Sequence, residues 1–378
     1  MKRVLEVTRE TIGPDADGVD RDGRWPAAGI RALQEAGLGG LLVPRQYGGA
    51  GHGLVALAQV CEIIGRECPS TALCFGMHCV GSAVISAKAT DEQCDRYLAP
   101  ICAGRHITTL SLSEPGTGAH FYLPQTRLQT LESGDFLLNG IKSFVTNGGH
   151  ADSYVVSAKT DENDHEGDEF SCIVLPADSE GLSWGSAWSG LGMRGNSSVT
   201  LELREVPVRH SDLLGRVGDQ IWYVFNVVAP CFLLAMAGTY LGVAAAAADE
   251  ARDNLKRRRY SHSGDALGDQ PVLQHQLGIL WSRVEQIRRL VYHAAHSHDS
   301  GADDAALKVL AAKAETDIGV IDVVNQAMTM AGGIAYREGA RLQRLLRDAR
   351  AAPVMSPTTD LLRIWLGRAL LDRPLLGP

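Results

Sequence analysis

Apolar residues recur at helical spacing through the first hundred positions of the chain. In "LVALAQVCEIIGREC" (54–68) they return every three or four residues, and "PAAGIRALQEAGLGGL" (26–41) joins the same spacing to glycines that stop it. "TDEQCDRYLAPICAG" opens on Thr90 and Asp91, whose side-chain oxygens suit the free amides of a helix start. A glycine-dense loop, "VPRQYGGAGHG", separates the first two helices. From about 107 to 212 the period shortens. "ITTLSLSE", "FLLNGIKSFVTNG" with an Asn-Gly turn pair, "SYVVSAKT", "FSCIVLPA" and "SSVTLELREVPV" read as strands and turns. In the last, Val199, Leu201 and Leu203 alternate with Thr200, Glu202 and Arg204, the mark of a half-buried strand. The acidic link "TDENDHEGDE", with His165, reads as a solvated hairpin loop. Helical period returns after about 222, with segments 229–258, 271–298 and 303–331 each long enough for a bundle helix. Helices, then strands, then long helices predict an α+β multidomain chain: a helical domain over 1–105, a strand domain over 106–214 and a helical domain over 215–378.

Residues 220–248 carry no charge, long enough by count to cross a bilayer. Asn226, Pro230 and the alanine and glycine content favour a central helix buried in a bundle, so no membrane partner is expected. The 378 residues are 45% hydrophobic and 21% charged, which places the chain among globular enzymes. A net charge of −8 argues against nucleic acid, and "KRRRY" (256–260) reads as a solvated helix end or a small polyanion site. Eight scattered cysteines form no C-x-x-C pair, suggesting neither zinc nor a disulfide framework. With no signal-peptide pattern at "MKRVLEVTRETIGPD", a reducing cytoplasm is expected.

Two stretches carry candidate chemistry. "MSPTTDLLRIWLGR" (355–368) sets Ser356 as a cap and Pro357 at a first helical position, with Thr358 and Thr359 beside them. That cluster is either an ordinary cap or a hydroxyl group facing an electron-rich ligand. "LSLSEPGTGAHF" (110–121) is a strand running into a glycine turn, where backbone amides can approach a bound group.

Followed by "NGIKSFVTNGGHAD" (139–152), preceded by "GLGGLLVPRQYGGAG", and joined by "GLGMRGNSSVTLELREVPV" and "AGGIAYREGARLQRLLRDAR", this stretch resembles the acyl-CoA dehydrogenase family over nearly the whole chain. The resemblance implies a helical N-terminal domain, a middle β-barrel and a C-terminal four-helix bundle, with FAD between barrel and bundle. It implies a homodimer or homotetramer, an acyl-CoA or acyl-carrier-protein substrate, and an electron acceptor or flavin reductase as partner. Carried over by position, it assigns cofactor contacts to Leu112, Ser113, Gly118 and Ala119, to Phe144 and Thr146, and to Arg259, Gly333, Thr358 and Asp360. Several departures stand out. Ala119 and His120 replace the family's serine and acid, Phe144 its tryptophan, and Thr329 a glutamine.

The family's catalytic carboxylate is the largest departure. Most members place it where this chain has Ser356, a smaller group where it has Phe232. A serine hydroxyl is far too weak a base to replace it. Asp360, one helical turn beyond Ser356, is the candidate substitute. Three readings follow: an acyl-thioester dehydrogenase with a non-standard base, a flavin monooxygenase on the same scaffold, and a non-catalytic flavin or acyl-carrier-binding protein. In the second, His78 and Ser356 are candidate polar contacts; His78 reads equally as a buried structural histidine.

Overall fold

The computed structural model describes residues 1–160 and 170–376; beyond Thr160, the acidic link and its His165 lie outside the described residues. The N-terminal part holds α1 (Lys2–Val7), α2 (Gly13–Asp22), α3 (Ala27–Glu35), α4 (Leu54–Glu67), α5 (Pro69–Ala87) and the short α6 (Asp91–Gln93) and α7 (Ala99–Cys102). Leu57, Cys61 and Ile64 form the buried stripe that the spacing of α4 requires. Helix α6 starts on a capping box in which Thr90 and Gln93 satisfy each other's amides.

Among the described residues eight strands follow: β1 (Thr108–Ser111), β2 (Arg127–Thr130), β3 (Phe136–Val145), β4 (Ser153–Thr160), β5 (Phe170–Pro176), β6 (Leu182–Trp184), β7 (Val199–Val208) and β8 (Leu213–Leu214). They form one sheet in the order β6-β7-β3-β2-β4-β5-β8, with β1 paired to β4 off this path. The expected closed barrel is corrected to an open sheet. Its end strands, β6 and β8, each pair on one side only, with β7 and β5, and β4 pairs in parallel with β1 along its first half and with β2 at its end. Val199, Leu201 and Leu203 of β7 are buried as their alternation predicts. Of the two Asn-Gly pairs in this stretch, Asn147–Gly148 lies in a turn, with Gly148 N donating to the Val145 carbonyl at 3.0 Å, and Asn139–Gly140 does not turn the chain. It lies inside β3 at a register shift, where Gly140 leaves room for Thr126: a Cβ there would sit 2.4 Å from the Thr126 hydroxyl.

The C-terminal part holds α8 (Gln220–Tyr223), α9 (Ala229–Arg257), α10 (Pro271–Asp299), α11 (Ala305–Ala331), α12 (Arg341–Ala349) and α13 (Thr359–Leu370). Helix α9 packs on α4, α5, α10 and α11, which is why the 220–248 segment carries no charge. Its contact with α4 is backbone to backbone: a Cβ on Gly242 would lie 2.3 Å from the Glu62 carbonyl, so a larger residue would push the helices apart. Helices α5 and α9 are apolar enough to cross a membrane, yet both are mostly buried among other helices. Lys256 and Arg257 of "KRRRY" do form an exposed helix end.

Side chains stitch the three parts together. The Asp299 carboxylate at the end of α10 accepts from the first amides of α4, Leu54 N at 2.7 Å and Val55 N at 3.0 Å. Asn147, just past β3, accepts from Trp25 Nε1 at 2.9 Å and donates to the Cys74 carbonyl of α5 at 2.9 Å.

Candidate active site

A cavity of about 420 Å³ opens where β1, the end of β3 and the 188–198 loop meet α5, α9 and the 351–357 segment. Ligand sites of this size are common, largely apolar, and carry a few placed polar groups. Here Met77, Val228 and Phe232 come from helical segments, Ser111, Ser113, Thr146 and Ser198 from the sheet and its loops, and Ser356 from the segment before α13.

Local structure explains how these side chains are aimed. Ser113 precedes Glu114, whose carboxylate is buried and accepts from Gln125 N at 2.6 Å, from the Thr126 hydroxyl at 2.7 Å and from Lys142 Nζ at 2.5 Å. Burial opposes the charge of Glu114, but Lys142 and these donors hold its carboxyl below the usual range. The Ser143 amide donates to the Ser113 carbonyl at 2.8 Å and so brings β3 alongside. A second register shift in β3, between Lys142 and Val145, then turns Phe144 outward at φ 55°, 66% exposed. A bulky residue in the left-handed region is strained, and such strain collects at binding sites. Thr146 is buried and shares a 3.1 Å hydrogen bond with Ser198, while its carbonyl accepts from the Thr109 hydroxyl at 2.9 Å.

The segment "MSPTT" differs from its expected form. Helix α13 starts at Thr359, and Thr358 is the cap, its hydroxyl accepting from Leu361 N at 3.4 Å. Ser356 is therefore not a helix cap and Pro357 not a first helical residue; both stand before the helix, in the cavity wall. Ser356 Oγ donates to the Gly118 carbonyl at 3.5 Å, joining this segment to the glycine turn. Because Ser356 is not helical, the one-turn relation that placed Asp360 beside it fails: Asp360 is exposed and is not among the cavity residues.

Of the residues expected to contact a cofactor, the structure brings Leu112, Ser113, Phe144, Thr146 and Ser356 to the cavity, with Gly118 touching Ser356. Arg259 and Gly333 lie outside it, both exposed, the Arg259 guanidinium bonded to the Gly264 carbonyl at 3.2 Å. Thr329 turns back on its own helix, donating to the Asn325 carbonyl at 3.0 Å. Phe232 and Ser356, the two positions named for a base, both line the cavity. Among the described residues, no carboxylate, imidazole, thiol, phenol or amine joins them in the cavity lining.

His78 is structural. It is buried away from the cavity, its Nε2 lies 2.9 Å from the Gly39 carbonyl and its Nδ1 accepts from Thr108 N at 3.1 Å, which fixes the neutral Nε2–H form. Burial pushes its pKa down to about 4. A histidine held neutral stabilises the fold fully above its unfolded pKa and progressively less as pH falls towards the folded value. The stability gap between the protein and His78→Gln is therefore expected to shift against the protein by about 3 kcal/mol between pH 7 and pH 4. Denaturant unfolding across that range checks it, and a pH-independent gap would refute the buried neutral assignment.

Ser111, Ser198, Asn196, Met193 and Trp188 also line the cavity and were not expected to. Trp188 had one visible signal, an aromatic residue amid glycine and serine in "WGSAWSGLG".

Helices before and after an eight-stranded sheet, with a hydroxyl-edged apolar cavity where the three meet, define the class of protein. Sequence profiles of the acyl-CoA dehydrogenase N-terminal, middle and C-terminal domains match residues 1–105, 109–206 and 234–371. The chain belongs to the acyl-CoA dehydrogenase family. It is 27% identical over 377 residues to the probable acyl-CoA dehydrogenase YngJ of Bacillus subtilis, covering 97% of this chain and 96% of that protein. It is also 27% identical over 367 residues to the short-chain-specific acyl-CoA dehydrogenase of Clostridium acetobutylicum, covering 96% and 94%. Its fold matches butyryl-CoA dehydrogenase from Megasphaera elsdenii with a TM-score of 0.92 at 24% identity, over 98% of this chain and 96% of that one.

The cavity fits the planar ring of the FAD that this family implies. Ser111, 2% exposed, lines the cavity, and its buried hydroxyl has no hydrogen-bond partner among the described residues. A buried hydroxyl left unpaired costs about 1–3 kcal/mol. Together with the exposed, strained Phe144 ring, it marks a surface built to be covered by a flat ligand carrying polar edges.

Proposed function

We propose that the protein is an FAD-dependent oxidoreductase that introduces a double bond between the α and β carbons of an acyl thioester, carried on CoA or a carrier protein. The observation that carries this reading is the cavity itself, whose largely apolar lining, with Met77, Val228 and Phe232, also carries the hydroxyl residues Ser111, Ser113, Thr146, Ser198 and Ser356, a composition suited to a ring with polar edges beside a short apolar chain. When bound, FAD supplies the two-electron acceptor for the hydride leaving the β carbon. The protein's own part is orientation: Ser113 and Thr146 offer hydroxyls to the ring edge, the backbone at Leu112 and Gly118 approaches it, and the Phe144 ring covers an apolar surface. Arg259, Gly333, Ala119, Thr358 and Asp360, which are not among the cavity's lining residues, are assigned to the parts of FAD outside it. The Arg259 fork suits a pyrophosphate.

Among the described residues no carboxylate lines the cavity to take the α proton, so wild-type dehydrogenation is expected to be slow. The same observation favours a second reading, oxygen-dependent hydroxylation on this scaffold with a flavin reductase as partner, because that chemistry asks no side chain to take an α proton. In the proposed architecture α9, α10, α11 and α13 form a four-helix bundle. Val272 and Ile279, exposed seven residues apart on α10, support its assembly into a homodimer or homotetramer. Eight free cysteines support a reducing, cytoplasmic setting.

The purified protein is expected to be yellow and to lose its flavin colour on anaerobic mixing with a short acyl-CoA. Colour lost only with a flavin reductase, followed by oxygen consumption when substrate is present, would shift the assignment to the second reading. A colourless protein that takes up no FAD would refute both.

A further inference from the structure

Phe144 stands where the family's stacking tryptophan is expected, but a second aromatic ring meets it. The Trp188 indole lines the same cavity with its ring centroid 6.3 Å from that of Phe144, at an interplanar angle of 85°. Two rings at right angles make a corner, one face for a planar ligand to lie on and one edge for it to abut. The loop holding Trp188 is itself anchored. Trp188 Nε1 donates to the Met193 carbonyl at 3.2 Å, and Met193 N donates to the buried Asp348 carboxylate of α12 at 2.7 Å. Gly192 lets the loop press onto that helix, since a Cβ there would sit 2.3 Å from the Arg347 carbonyl. With its N–H already taken by the backbone, the indole offers the cavity only its π surface.

We propose that Trp188 is a flavin-binding residue, forming with Phe144 an aromatic corner that seats the isoalloxazine ring and restores the indole that position 144 has lost. This inference rests on the flavin reading above and assigns to the 188–193 loop a binding role of its own. Among the described residues Trp188 is the one tryptophan lining the cavity, and no tyrosine lines it, so an indole in contact with bound flavin has a specific optical signature. An indole donates an electron to the excited flavin at contact and quenches its emission; phenylalanine does not.

The test titrates the full-length protein, Trp188→Phe and Trp188→Ala with FAD, reading affinity by calorimetry and the emission of the bound flavin. In the wild type, bound flavin is expected to be dark. Trp188→Phe is expected to keep its affinity but to make bound flavin bright, and Trp188→Ala to raise the Kd about tenfold and be bright as well. Trp188→Phe preserves the packing of a flat ring, so its folding is the safer of the two and its emission alone decides. Equal affinity and equally dark flavin in all three proteins would overturn the role of Trp188 and leave the FAD reading standing. A wild type that binds no FAD would overturn that reading instead, and this inference with it.

Discussion

Ser356→Glu is expected to accelerate anaerobic flavin reduction by a short acyl-CoA by about 10²–10⁴-fold, the range a positioned general base supplies. Ser356 lines the cavity from the segment just before α13, and its hydroxyl reaches towards the glycine turn at Gly118. A carboxylate placed there would be partly desolvated, which raises its basicity towards the value proton abstraction requires. Phe232→Glu is expected to act in the same direction from α9, because residue 232 faces the same space. Stopped-flow absorbance of the FAD-loaded variants measures both. If each binds FAD and neither gains rate on any short acyl-CoA, the acyl group does not lie between residues 232 and 356, and the dehydrogenase assignment fails.

Lys313→Met is expected to lower the unfolding free energy by about 3–5 kcal/mol, the cost of leaving a buried charge without its partner. Lys313 Nζ lies 2.6 and 2.7 Å from the two Asp317 oxygens one turn along α11, and both side chains are fully buried. Burial pushes the Lys313 pKa down and the Asp317 pKa up, so each ion depends on the other. The pair also grips the cavity wall from both ends. Lys313 donates to the Ala352 carbonyl at 3.2 Å, and the Thr359 hydroxyl donates to Asp317 at 2.8 Å. The residues between, 353–358, carry Ser356. Lys313→Met/Asp317→Leu is expected to recover part of the loss, since no lone charge remains, and FAD affinity is expected to fall in the single variant. A double-mutant cycle in denaturant checks this, with a coupling of about 2 kcal/mol or more expected and additive losses counting against it.

The candidate site was legible in part. Leu112, Ser113, Phe144, Thr146 and Ser356 could be placed by motif order, because each sits a short, fixed distance from a turn or strand end. Asp360 was misplaced because an i, i+4 argument assumes a helix, and the helix starts only at Thr359. His78 stood out as a lone histidine in an apolar run, and only its two backbone partners identify it as structural. Trp188, Ser111 and Asp348 escaped notice because their roles depend on neighbours far away in the chain. Asp348 and Met193 are 155 residues apart.

What the chain determines by itself is its alternation of elements. The three long helices were bounded within two residues of their observed ends, and the period-2 run at 199–204 lies in β7, because local periodicity needs no partner to be visible. The uncharged run at 220–248 likewise announced a helix surrounded by others. Whether the strands closed into a barrel was not a local matter: it turned on β6 and β8 each pairing on one side only, and on β4 sharing one edge between two partners. That no acid or base lines the cavity among the described residues was decided there too. Carboxylates occur nearby in sequence at Glu114, Asp348 and Asp360, but two are buried against their own hydrogen-bond donors and the third points to solvent. Side-chain direction is set by tertiary contacts, and it is direction that gives a residue its chemistry.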